Sequence, residues 1–166
     1  MKYFFYILIL FILILLQISF LPQIKILNYL NLPICFLIIY FFSREKFLWL
    51  YFLMVAVLFS LYSILPIGFY LLDFLLLFIF LNWLKHLVTD TGAGIKLLTI
   101  VVILLFYCLI TLGLNSLAHY FQLASMPLII DRFYIWRSIL FIIINGIIVF
   151  IFNKLCLTHS KLRPTT

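Results

Sequence analysis

The chain has 166 residues, of which 69% are hydrophobic and 9% charged, and its 11 Lys and Arg against 4 Asp and Glu give a net charge of +7. A soluble domain is about 45–50% apolar and about 25% charged, so this composition excludes a soluble fold, a conventional ATPase or kinase domain and a soluble nucleic-acid module. It points to an all-α integral membrane protein, in which the basic excess carries topology information and attraction to anionic lipid.

A helix needs about 20 apolar residues to cross the hydrocarbon core, within a range of about 17–25. Six candidate spans follow in chain order, at 3–21, 26–42, 47–65, 69–84, 97–120 and 135–152, all within a single polytopic domain over 1–166. The first follows Lys2 and resembles a signal sequence, but no small-residue cleavage site comes after it, so a retained helix is expected. The second contains Pro33, which favours a late helix start and leaves 28–32 as a turn. The second and fourth are short for a bilayer. Membrane strands would alternate apolar and polar residues. These runs are apolar on every side, so helices are expected.

Lysine and arginine orient the spans. With the N-terminus in the cytoplasm, the inner segments hold Lys2, Arg44, Lys46, Lys85, Lys96, Lys154, Lys161 and Arg163. The outer segments hold only Lys25, Arg132 and Arg137. Both termini are therefore expected on the cytoplasmic side. A five-span arrangement, with the second segment only dipping into the membrane, would break this balance. Trp49, Trp83 and Trp136 each fall near a span end, as interface anchors do.

The stretch YSILPIGFYLLDF places a proline, a glycine and a carboxylate inside an apolar run. Pro66 has no backbone donor and Gly68 is free to take positive φ, so 62–68 reads as a tight outer turn. Asp73 then lies about 6–8 Å below the start of the fourth helix. Two readings stay open for it. It is an interfacial carboxylate near the positive end of a helix dipole, or it belongs to a polar cluster. At similar depth lie Gln17 and Ser19 on the first helix, Asn115 and His119 on the fifth, and Arg137 on the sixth, with Asn145 deeper. Asn115 and His119 are four residues apart and share a face. Polar side chains in membrane helices turn inward and pair, which gives a candidate outer cluster of Asp73, Asn115, His119 and Arg137.

The remaining polar residues carry little chemistry. The TDTGAGIK loop at 89–96 lacks the G-x-x-x-x-G-K-[ST] spacing of a phosphate loop. Cys35, Cys108 and Cys156 have no metal-ligand spacing, and His86 and His159 sit beside lysines. The four acids are spread over four segments. No catalytic set, metal site or cofactor is expected. The segments 62–68 and 121–134, the latter containing Met126, Pro127, Asp131 and Arg132, are candidate docking surfaces or interfacial connectors. The 20 Phe and 10 Tyr are read mostly as lipid-facing bulk.

Three stretches carry a family resemblance: QISFLP at 17–22, NLPICFLIIY at 31–40 and SLYSILPIGFYLL at 60–72. With the length and hydrophobic profile, they resemble the MreD family of bacterial rod shape-determining membrane proteins. That family shows an early Leu-rich span ending near a serine, a second span opening with a proline, and a turn of the form D-x-x-S-G-x-P-x-G. Ser63, Pro66 and Gly68 fit the turn. Ser60 stands in place of the aspartate and Ile64 in place of the glycine. Asp73 lies outside the pattern. The resemblance implies a non-catalytic scaffold of cell elongation and peptidoglycan synthesis in the bacterial cytoplasmic membrane. The partners it implies are an MreC-like bitopic protein, an MreB-like actin, and the elongation glycosyltransferase and transpeptidase. It also implies a six-helix fold similar to the substrate-binding components of energy-coupling-factor transporters. Such a vitamin-uptake component is the alternative function, although few polar residues are present to recognise a ligand.

Overall fold

The computed structural model describes residues 2–19, 21–23, 29–42, 48–61, 67–87, 92–123 and 131–161. They form six helices: α1 (Lys2–Ser19), α2 (Leu32–Phe42), α3 (Leu48–Leu61), α4 (Ile67–Leu87), α5 (Ala93–Tyr120) and α6 (Arg132–Lys161). A 3-10 turn, Leu21–Gln23, follows α1, and no strand occurs among the described residues. Three helices are long and apolar enough to cross a membrane, over Gly68–His86, Ala93–Tyr120 and Arg132–Lys154. By contrast, α2 has 11 residues, about 16 Å at helical rise, roughly half of a hydrocarbon core.

Three helix ends have a local reason. Asn31 caps α2, its Oδ1 accepting from the Ile34 N–H at 3.3 Å while its carbonyl accepts from the Cys35 N–H at 3.0 Å. Pro33 then sits in the first turn, where its missing N–H removes no helical bond. Asp131 caps α6 in the same way, accepting from the Tyr134 N–H at 2.7 Å, with its charge at the positive end of the helix dipole. Within the docking segment drawn at 121–134, Asp131 thus has a structural task. At the far end of α5, the Gln122 N–H donates to the His119 carbonyl and the Leu123 N–H to the Ala118 carbonyl. Gln122 has φ 57°, so α5 ends in a Schellman motif with glutamine in the left-handed position that glycine usually takes.

Several expected boundaries move. The second span, expected from residue 26, begins as a helix only at Leu32, because Leu30 and Asn31 are held in a non-helical turn by side chains from α1 and α6. The fourth and sixth run longer than expected, to Leu87 and Lys161. Gly68 was expected in a turn with positive φ. It lies instead in the first turn of α4, and no described glycine has positive φ. Ser63 and Pro66 lie outside the described residues, as do residues 124–130 of the connector 121–134.

The helices close into a ring in the order α1, α2, α6, α5, α4, α3 and back to α1, with α2 also touching α3. The short α2 is therefore the most enclosed element. Seven of its eleven residues are buried, among them Ile34, Leu37 and Ile38. The core continues through Leu10 and Ile14 of α1, Leu77 and Leu81 of α4, and Ile100 with Ile103 and Leu104 of α5. Their spacings of three and four put them on one helical face each. A row of rings crosses four helices: Phe59, Phe74, Tyr107 and Phe141, at centroid separations of 6.0, 6.3 and 5.9 Å. Phe80 stacks on Phe106 at 3.7 Å. Part of the aromatic content is thus packing between helices and not lipid-facing bulk. Outward faces are apolar as well, as expected where no water has to be met. Trp83 and Trp136 are both exposed, at 60% and 64%.

Candidate functional site

Two polar centres lie toward the same end of the bundle. This end gathers the close of α1, the starts of α2, α4 and α6, and the last turns of α5, because neighbouring long helices run antiparallel. Contacts between Asp73 and Thr111, Phe80 and Phe106, Tyr107 and Phe141, and Leu104 and Gly146 set that register.

The first centre is a clamp around the turn before α2. Asn145 of α6 is fully buried. Its Nδ2 donates to the Tyr29 carbonyl at 2.9 Å and to the Phe141 carbonyl at 2.7 Å. Its Oδ1 accepts from the Asn31 N–H at 2.8 Å and from the Cys35 thiol at 3.1 Å. Every donor and both lone pairs of this amide are engaged. From the opposite side, Gln17 of α1 donates to the Leu30 carbonyl at 2.8 Å and accepts from the Leu32 N–H at 3.0 Å. Two side-chain amides thus satisfy backbone groups that the turn cannot pair for itself. In an apolar medium each such group left unpaired is expensive. The clamp joins the consecutive helices α1 and α2 to the distant α6, and Cys35 belongs to it as a weak donor.

The second centre surrounds Asp73. It is 3% exposed, so it is enclosed between α4 and α5 and does not fit an interfacial carboxylate held in water. Its Oδ2 accepts from the Thr111 hydroxyl at 3.1 Å. That hydroxyl has one proton, which it shares with the Tyr107 carbonyl one turn back, at 2.9 Å. Its Oδ1 is buried with no hydrogen-bond partner. Asp73, Thr111 and Asn115 share the lining of a void of about 10 Å³, which is about the space of one water molecule.

Of the four residues in the candidate cluster, the structure brings Asp73 and Asn115 together. His119 is exposed one turn further along α5. Arg137 lines a different cavity of about 310 Å³ between α5 and α6, with Tyr107, Cys108, Thr111, Tyr134 and Ser138 among its walls. Thr111 is the residue common to both spaces. The sequence reading passed over Thr111. The signal was present, since Thr111, Asn115 and His119 recur at intervals of four and continue one polar stripe along α5. Gln17 and Asn145 were noted for depth alone, and nothing in the sequence paired them with the backbone at 29–32. Among the described residues no group of His, Cys, Asp and Glu could hold a metal ion.

The fold and its polar centres thus define an all-helical chain with three helices suited to crossing a membrane. Comparison with family models, with curated proteins and with solved structures finds no match.

Proposed function

We propose that this chain is a non-catalytic scaffold of the bacterial cell-elongation machinery, similar to MreD, with six spans and both termini in the cytoplasm. Its place would be the bacterial inner membrane. Its partners would be an MreC-like bitopic protein, an MreB-like actin and the elongation glycosyltransferase and transpeptidase. One observation carries most of the support. Gln17 opens the QISFLP stretch and Asn31 opens NLPICFLIIY, and the Gln17 amide holds the Leu32 N–H inside the second stretch and the Leu30 carbonyl just before it. Two of the three stretches that carry the resemblance therefore act as one structural unit. The arrangement uses its polar groups to fix helices against each other, as an interaction protein requires.

The cavity beside Arg137 favours a second reading, a substrate-binding component of an energy-coupling-factor vitamin transporter. A pocket of this kind with a few polar groups is what such a component needs.

Gentle affinity purification of the tagged chain from its native membranes, followed by mass spectrometry, tests both. Recovery of an MreC-like protein or of the elongation synthase pair is the expected result. Recovery of a transmembrane coupling subunit with two ATPases would overturn the scaffold reading in favour of transport.

A further inference from the structure

We propose that the cavity between α5 and α6 binds a phosphate group, with Arg137 as its cationic anchor. This inference stands apart from the scaffold reading and needs none of its partners.

Arg137 lies five residues into α6, about 7–8 Å from its first residue at helical rise. The segment around it is apolar enough to cross a membrane. The Arg137 side chain is exposed at the cavity rim, and with no ion-pair or hydrogen-bond partner among the described residues its charge is open to an anion from outside the bundle. Asp131, on its own helix, is engaged as the α6 cap. Asp73 lines the separate space that shares Thr111, whose hydroxyl holds its Oδ2.

The cavity walls sharpen the sign of the ligand. The hydroxyls of Thr111 and Ser138 already donate to the Tyr107 and Tyr134 carbonyls, at 2.9 and 3.0 Å. Donation to a ligand therefore falls first to Arg137, with the phenol of Tyr29 also on the lining, while the side chains of Tyr107 and Tyr134 interact with those of Thr111 and Ser138. One fixed positive charge among neutral donors suits a group rich in acceptor oxygens. Arginine binds phosphate through two parallel N–H donors. The volume of about 310 Å³ exceeds a bare phosphate and leaves room for a small ester substituent. At the same level of the bundle α5 exposes Leu105 and Leu109, and α6 exposes Ile139 and Ile143. Those faces suit acyl chains, so the phosphate has two possible sources, a phospholipid headgroup or a soluble phosphate ester.

The test uses the full purified chain in mild detergent, with two probes. Native mass spectrometry reads retention of phosphatidylglycerol against diacylglycerol, which lacks the phosphate. A thermal unfolding series reads inorganic phosphate against chloride at equal ionic strength. The expected result is one retained phosphatidylglycerol and no retained diacylglycerol. Arg137→Gln should weaken that retention about tenfold or more, the effect of losing a charge-assisted hydrogen bond. Arg137→Lys should fall between the two, because a lysine keeps charge but not the paired donors. A phosphate-dependent rise in unfolding temperature that Arg137→Gln abolishes, without lipid retention, would keep the site and assign it to a soluble ester. Ser138→Leu, which fills the cavity and leaves Arg137 in place, should lose binding too, and carries the test if Arg137→Gln does not fold. Equal lipid retention in wild type and both variants, with no phosphate effect that depends on Arg137, would overturn the proposal.

Discussion

The clamp around Asn145 and the pocket around Asp73 are built from similar material and end in opposite states. Each is a buried polar side chain at a contact between helices, near the same end of the bundle. Asn145 makes four hydrogen bonds, and two of its partners, the Asn31 N–H and the Tyr29 carbonyl, are backbone groups of the turn before α2. Asp73 makes one, to a hydroxyl, and leaves an oxygen unpaired. A fully satisfied buried network rigidifies a fold, whereas a half-satisfied one is a strain that the rest of the molecule has to offset. The clamp is therefore what α1, α2 and α6 are assembled on. Asp73 is carried by a fold that would stand without its charge.

The largest effect should come from Asn145→Leu. It strands the Asn31 N–H and the Tyr29 carbonyl in an apolar setting, and should lower stability by about 2–5 kcal/mol. Denaturant titration of the purified chain in micelles reads this directly, and a loss under about 1 kcal/mol would remove the clamp from its central place. Next comes Thr111→Val, similar in shape, which takes away the one described donor to Asp73 and should destabilise by about 1–3 kcal/mol. Combining it with Asp73→Leu should recover most of that loss, since replacing both partners by apolar groups is close to neutral.

A smaller change is expected for Cys35→Ala. It deletes a weak thiol donor to Asn145 and a small buried volume, so about 1 kcal/mol should be lost in the same titration. The smallest effect belongs to Asp73→Asn. The new amide still accepts from Thr111 and has no charge to bury, so stability should stay within about 0.5 kcal/mol of wild type or rise. A loss as large as that of Asn145→Leu would erase the distinction between the two centres and make Asp73 part of the framework.

The sequence carried the helical class and the places of most helices because both depend on local chemistry. Apolar runs near bilayer length leave only helices as a solution. It also carried a late start for α2 through Pro33, which suits a first helical turn, whereas the Asn31 cap came only with the structure. The site was less legible. Spacing put Asn115 and His119 on one face, but depth along a helix says nothing of rotation about its axis. His119 consequently faces outward while Thr111, one stripe position earlier, reaches Asp73.

What the sequence by itself determined is therefore the composition of each helix, its approximate place in the chain and the medium it suits. What only the tertiary structure decided is the ring order that encloses the short α2. The same packing gave Gln17 and Asn145 the backbone of residues 29–32 as partner. It also left Asp73 and Arg137 lining separate spaces that share Thr111. The physical reason is that a hydrogen bond between residues more than a hundred positions apart depends on the packing angle of whole helices. That angle is set by every side chain in the contact at once, and no local pattern contains it.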